Sequence, residues 1–205
     1  MNGPMISIII PVYNRYDLTR ECIESIFRVT SIDSYEVILI DNGSTDPQKM
    51  ILYELKTKYP GIKCVFNATN LGFAKACNQG AAISTGTFLL FLNNDTKIIQ
   101  PNWIQHMLDV FINDDRVGCV GAKLVFPNGS IEHAGLLIKR IITPDGTVLM
   151  DGELRLFGAP PQHPDVNVPV TLAAVSGACL MTPRHLFEQV GGFDDNFWNK
   201  NITID

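Results

Sequence analysis

Two carboxylates at the ends of apolar runs are the residues best placed for chemistry. Asp95 closes Phe88-Leu89-Leu90-Phe91-Leu92-Asn93-Asn94 and precedes Thr96. A carboxylate in such polar company can hold a hard divalent cation, and the cation can hold phosphates. Asp41 closes Glu36-Val37-Ile38-Leu39-Ile40 and opens Asn42-Gly43-Ser44-Thr45-Asp46, where it can accept hydrogen bonds from a base or a ribose. Each segment has a plain alternative, an Asx-turn or a helix cap, because Asn, Asp, Ser and Thr favour both. Pro11 marks a rigid strand exit, and Tyr13 beside Asn14 offers an aromatic face that either stacks on a base or packs its own loop.

Other chemistries find less support. GxxxxGK[ST] is absent, and no GxGxxG follows the first apolar run. A metal is then the natural phosphate partner, which returns weight to Asp95. Glu132-His133 reads either as an acid–base pair or as hydrogen-bonded structure. There is no zinc-type spacing and no G-x-S-x-G elbow.

The elements that would carry these residues alternate. Strands are expected at residues 5–12, 36–40, 63–66 and 88–92, each a short apolar or β-branched run. Helices are expected between them: one capped by Asp17 or Thr19 and running to Phe27, one begun by Asp46-Pro47, and one over residues 74–83. The alternation predicts an α/β fold with a mostly parallel central sheet and helices on both faces. Right-handed crossovers then bring Asp41 and Asp95 to one rim. Beyond residue 100 a helix is expected over 102–112, a strand over 117–126, an irregular stretch over 138–168 and a short helix over 183–190.

Bulk properties fit that picture. At 205 residues and 46% hydrophobic, the chain can bury a full core as one domain. A net charge of −5 and a pI near 5.3 argue against nucleic acid as a partner. Five scattered cysteines, without a CxxC pair, suit a reducing, cytoplasmic setting.

Taken in order, the loops resemble those of the family 2 glycosyltransferases, which have the GT-A (Rossmann-like) nucleotide-diphospho-sugar transferase fold; the likeness extends to rhamnosyltransferases. The matching pieces are Ile8-Ile9-Ile10-Pro11-Val12-Tyr13-Asn14, Val37 through Asp46, Asn70-Leu71-Gly72-Phe73-Ala74 and Phe91 through Thr96. They continue with Glu132-His133-Ala134-Gly135, Ser176-Gly177-Ala178-Cys179 and Val190-Gly191-Gly192-Phe193-Asp194. The resemblance implies a single domain over residues 5–205, with a nucleotide-binding part at 5–100 and an incomplete acceptor side at 101–205. It implies an inverting transfer of a sugar from a nucleoside-diphosphate sugar to a saccharide or lipid-linked saccharide, assisted by Mg²⁺ or Mn²⁺, in cell-surface polysaccharide synthesis.

By motif match, Pro11, Tyr13, Asn14, Asp41, Asn70, Gly72, Lys75, Asn78, Asn93 and Asn94 line the nucleotide pocket. Asp95 is the matched metal-binding carboxylate, with Asn93 in place of the first acid of a DxD motif. Glu132, His133, Ser176 and Gly177 fall where such enzymes shape the acceptor cleft. The family's base comes from a Glu-Asp-x-Asp segment after GGFD. Here Ile202-Thr203 stand at Glu-Asp and only Asp205 matches, so the chain reads as truncated or as a donor-binding domain without a base. Peripheral attachment to the inner face of a membrane, and self-association, stay open.

Overall fold

The structure is a computed structural model that describes residues 5–32 and 34–195. In chain order it runs β1 (Ile6–Val12), α1 (Tyr16–Val29), β2 (Tyr35–Asp41), α2 (Met50–Lys58), β3 (Lys63–Phe66), α3 (Phe73–Ile83) and β4 (Phe88–Leu92). Then follow α4 (Trp103–Asn113), β5 (Val120–Gly121), β6 (Leu124–Val125), β7 (Ile131–His133), β8 (Leu136–Ile142), β9 (Val148–Leu154), β10 (Cys179–Pro183) and α5 (Arg184–Gln189).

One sheet, ordered β3-β2-β1-β4-β10-β5, organises the chain. The first four strands of that order are parallel, and β10 enters antiparallel to both β4 and β5. The sheet is therefore mostly parallel, and β1 is buried along its whole length. Period-2 alternation splits its side chains between two cores. Ile6, Ile8, Ile10 and Val12 meet Ile23 and Ile26 of α1, Leu52 of α2 and Ile104 of α4. Ile9 points the other way, to Ala76 and Cys77 of α3 and to Phe91. Small residues in α3 allow that approach: a Cβ on Gly80 would lie 2.3 Å from Ile9 Cγ2.

Several boundaries differ from the sequence-based expectation. Neither Asp17 nor Thr19 caps α1. The helix starts at Tyr16 behind Arg15, whose backbone is left-handed (φ 48°), and Thr19 instead donates its hydroxyl back to the Arg15 carbonyl. Asp46 does cap a turn: its side chain accepts from the Gln48 N–H at 2.8 Å, with Pro47 in a short 3₁₀ turn ahead of α2. The single strand expected over 117–126 is broken into β5 and β6. Residues 138–168 are not irregular throughout, because β8 and β9 pair as an antiparallel hairpin. Its turn is set by Asp145 accepting from the Thr147 N–H and by Gly146 at φ 86°.

Candidate active site

The strand order reverses between β1 and β4, the place where open α/β sheets receive ligands beyond their carboxyl ends. Pro11 and Tyr13 lie on one side of that reversal and the Asn93–Asp95 turn on the other. Asn14 sits between the first two loops. Its backbone N–H donates to Ser44 Oγ at 2.8 Å, and its side-chain oxygen accepts from the N–H groups of Thr45 and Asp46 at 2.9 and 3.0 Å. Those bonds bolt the β1 exit to the β2 exit.

Asp41 is fully buried and holds three donors. Oδ1 accepts from the Ser44 N–H at 3.1 Å, and Oδ2 accepts from Tyr16 OH at 3.2 Å and Lys49 Nζ at 3.1 Å. Burial, with the Asp41 charge behind it, pushes the Tyr16 phenol up to about 12, so Tyr16 remains a donor. Lys49 also lies 4.5 Å from the Phe66 ring centroid, which draws the end of β3 into the same corner.

Asn42 is the hub of the neighbouring loop. Its Nδ2 donates to Asn70 Oδ1 and to the Gly72 carbonyl, and its Oδ1 accepts from Asn67 Nδ2 and the Leu71 N–H. Gly43 is required beside it. At φ 77° its backbone lies against Thr69, where a Cβ would sit 2.3 Å from the carbonyl carbon. Asn70 Oδ1 also accepts from the Gly72 N–H at 2.8 Å, so Asn70 and Gly72 shape the entry to α3. Lys75 follows in the first turn of α3, exposed and with no carboxylate partner among the described residues. The Asn78 side chain is engaged with the chain itself. Its Nδ2 donates to the Phe193 carbonyl at 2.8 Å and its Oδ1 accepts from the Phe193 N–H at 3.0 Å. Both ends of the amide clamp the Gly191-Gly192-Phe193 segment onto α3.

Across the reversal, Asn94 is buried and donates to Thr19 Oγ1 at 2.9 Å, anchoring the turn to α1. Asn93 donates its N–H to the Ala178 carbonyl at 2.9 Å, and its own carbonyl accepts from the Thr96 N–H at 3.2 Å. Asp95 is left exposed between them. Glu132, on β7, has its carboxyl raised above the usual range, first by burial and then by the Asp95 charge. His133 points inward, 4% exposed, and its Nε2 accepts from the Ser176 N–H at 3.1 Å. Burial lowers its pKa and favours the neutral ring, so Nδ1 carries the proton and meets no partner. Gly177 packs on the Phe73 ring, where a Cβ would lie 3.2 Å away.

The donor set fits a divalent cation of the Mg²⁺ or Mn²⁺ type. Such ions take hard oxygen ligands, often one or two carboxylates with the substrate's phosphates supplying the rest. Asp95 offers one such carboxylate, exposed on its turn. No group of three His, Cys, Asp or Glu side chains that could by itself hold a metal ion is found among the described residues. Asp205 and the Ile202-Thr203 pair lie outside the described residues.

Residues 7–157 match the family model for glycosyl transferase family 2, and the chain belongs to that family. Over 198 residues it is 32% identical to the O-antigen biosynthesis protein RfbC of Myxococcus xanthus, covering 95% of this chain and 15% of that protein. Among solved structures it is similar to the mannosyltransferase PcManGT from Pyrobaculum calidifontis, in complex with GDP-Man and Mn²⁺, at a TM-score of 0.66 and 18% identity. It is also similar to S. aureus TarS 1-349, at a TM-score of 0.63 and 18% identity. Each structural match covers 95% of this chain, and 48% and 52% of the other chain respectively. The chain thus spans only part of the length of these relatives. The fold is GT-A.

Tyr16, Lys49 and Asn42 were not singled out from the sequence, although they are what holds Asp41 and the Asn70 loop. Asn42 stood inside the quoted motif and could have been found there. Tyr16 and Lys49 meet Asp41 only in three dimensions.

Proposed function

We propose that this chain is the donor-binding core of an inverting, metal-assisted glycosyltransferase acting in cell-surface polysaccharide synthesis. It would move a sugar from a nucleoside diphosphate to a saccharide or lipid-linked saccharide. The observation that carries this reading is the exposed Asp95 at the sheet's reversal, on a turn fixed from both sides by the Asn94–Thr19 and Asn93–Ala178 hydrogen bonds.

In this reading Pro11, Tyr13 and Asp41 hold the nucleoside, Tyr13 by stacking and Asp41 through hydrogen bonds once Lys49 swings off its buried carboxylate. The N-terminus of α3 and Lys75 face the diphosphate, with Asn70 and Gly72 setting the approach. Asp95 holds Mg²⁺ or Mn²⁺, which when bound offsets charge developing on the diphosphate leaving group. The neighbour bound to GDP-Man and Mn²⁺ supports that assignment. Residues 5–100 form the nucleotide side, and residues 101–205, with Glu132, His133, Ser176 and Gly177, form the acceptor side. An inverting transfer needs a base opposite the leaving group, and Asp205 is the residue that matches one.

A second reading, a nucleotide-sugar-binding domain without turnover, is favoured by Ile202-Thr203 where the family carries Glu-Asp. Calorimetric titration with UDP-, GDP- and dTDP-sugars, with and without Mn²⁺, tests both. Metal-dependent binding with transfer supports the first reading, and binding without transfer or hydrolysis supports the second. No binding of any donor would remove both.

A further inference from the structure

His133 is the one buried side-chain polar group among the described residues that is left partly unsatisfied. Buried imidazoles ordinarily satisfy both nitrogens. This one uses only Nε2, and what Nε2 holds is not the core but a turn. The Ser176 N–H donates to it at 3.1 Å, and Ser176 Oγ in turn accepts from the Ala178 N–H at 3.1 Å, folding residues 176–178 back on themselves. The Ala178 carbonyl then accepts from the Asn93 N–H at 2.9 Å, one residue beyond the pairing of Cys179 with Leu92. A continuous run of hydrogen bonds therefore joins His133 on β7 to the turn that presents Asp95.

We propose that His133 is a positioning residue for the metal–diphosphate site, acting through the 176–178 turn to fix the Asn93–Asp95 turn. The proposal rests on the donor-binding reading above. No hydrogen bond joins the imidazole to Asp95 among the described residues; it sets the height of the backbone on which Asp95 stands. A residue serving only to fill the core would do so better without an unpartnered N–H. An acceptor atom at the Nε2 position is the feature that matters, and a Gln side chain can supply one.

Two variants, His133→Phe and His133→Gln, separate this role from packing. Amide hydrogen exchange on the ligand-free protein comes first, since it needs no donor. His133→Phe is expected to speed exchange at Ser176 and Asn93 by about tenfold or more, with β1 and β2 unchanged, and His133→Gln to restore the slow rates. Calorimetry with UDP and GDP then compares affinity with Mn²⁺ against affinity for the bare nucleosides uridine and guanosine. His133→Phe is expected to weaken the Mn²⁺–diphosphate complex by roughly 10-fold or more, as outer-shell changes do, while nucleoside affinity holds. His133→Gln should recover most of that loss. Unchanged exchange in His133→Phe overturns the coupling. A parallel fall in nucleoside and Mn²⁺–diphosphate affinity, unrescued by Gln, reduces His133 to packing and overturns the role. If wild-type protein binds no Mn²⁺–diphosphate, the donor reading falls with the role, and the exchange data still report whether the coupling exists.

Discussion

The two edges of the central sheet both tie strands together through polar networks, but only one of them also presents an exposed carboxylate. At the amino edge, Glu36 gathers Ser7 Oγ at 2.7 Å, the Thr85 N–H at 2.6 Å, Thr85 Oγ1 at 2.9 Å and Lys63 Nζ at 2.7 Å. Ser7 Oγ also accepts from the Gly86 N–H, and Arg184 donates to the carbonyls of Gly86 and Ala81 and to Ser84 Oγ. Burial opposes the Glu36 charge, yet the bonds from Lys63, Ser7 and Thr85 hold its carboxyl down to about 2. At the carboxyl edge, Asp41 and Asn42 are bonded as fully as Glu36, but His133 keeps an unpartnered N–H and Asp95 is left exposed. The amino edge only ties strands together, while the carboxyl edge combines such ties with an exposed carboxylate. That carboxylate is what distinguishes the two edges.

Substitutions on either edge probe that contrast. The largest effect on binding is expected at Asp95. Asp95→Ala should lower the Mn²⁺-dependent part of donor affinity by about a hundredfold without lowering Tm, since the side chain is exposed. Calorimetry and thermal melts read the two halves separately. Gly43→Ala comes next, at about 4 kcal/mol of stability, because the new Cβ meets the Thr69 backbone and the φ is left-handed. Chemical denaturation measures that loss. Asn42→Ala should cost about 3 kcal/mol by stripping partners from Asn67, Asn70, Leu71 and Gly72, and should weaken nucleoside binding as well.

The smallest effect is expected at the opposite edge. Glu36→Gln should cost on the order of 2 kcal/mol at neutral pH and leave donor affinity unchanged. Its sign with pH is definite: the folded carboxyl lies below its ordinary value of 4.5, so its stabilisation is present above that pH and is lost as pH falls towards about 2. Denaturation midpoints across that window should fall steeply in the wild type and less so in Glu36→Gln.

The carboxyl-edge half of this contrast was legible in the sequence. Continuous apolar runs ending in Asp41 and Asp95 gave both the parallel strands and the rim, because strands buried on both faces leave little else to read. The first half, with its regular strand–helix alternation, matched in nearly every element. The hairpin of β8 and β9 escaped because the β8 side chains are mostly exposed and so carry no strong apolar period. Among the proposed site residues, motif matching could not show that the side-chain amides of Asn78 and Asn94 are spent on Phe193 and Thr19, or that Lys49 covers Asp41. Those facts depend on contacts between distant segments, which no local pattern encodes. The amino-edge network around Glu36 was equally invisible, since Ser7, Lys63 and Thr85 lie far from it in the chain.

Asp95 is tested most directly by calorimetric titration of nucleoside-diphosphate sugars into the wild type and Asp95→Ala, each with and without Mn²⁺. Mn²⁺ is expected to tighten donor binding in the wild type and to have no such effect in the variant. Equal Mn²⁺ dependence in the two proteins would contradict a metal role for Asp95.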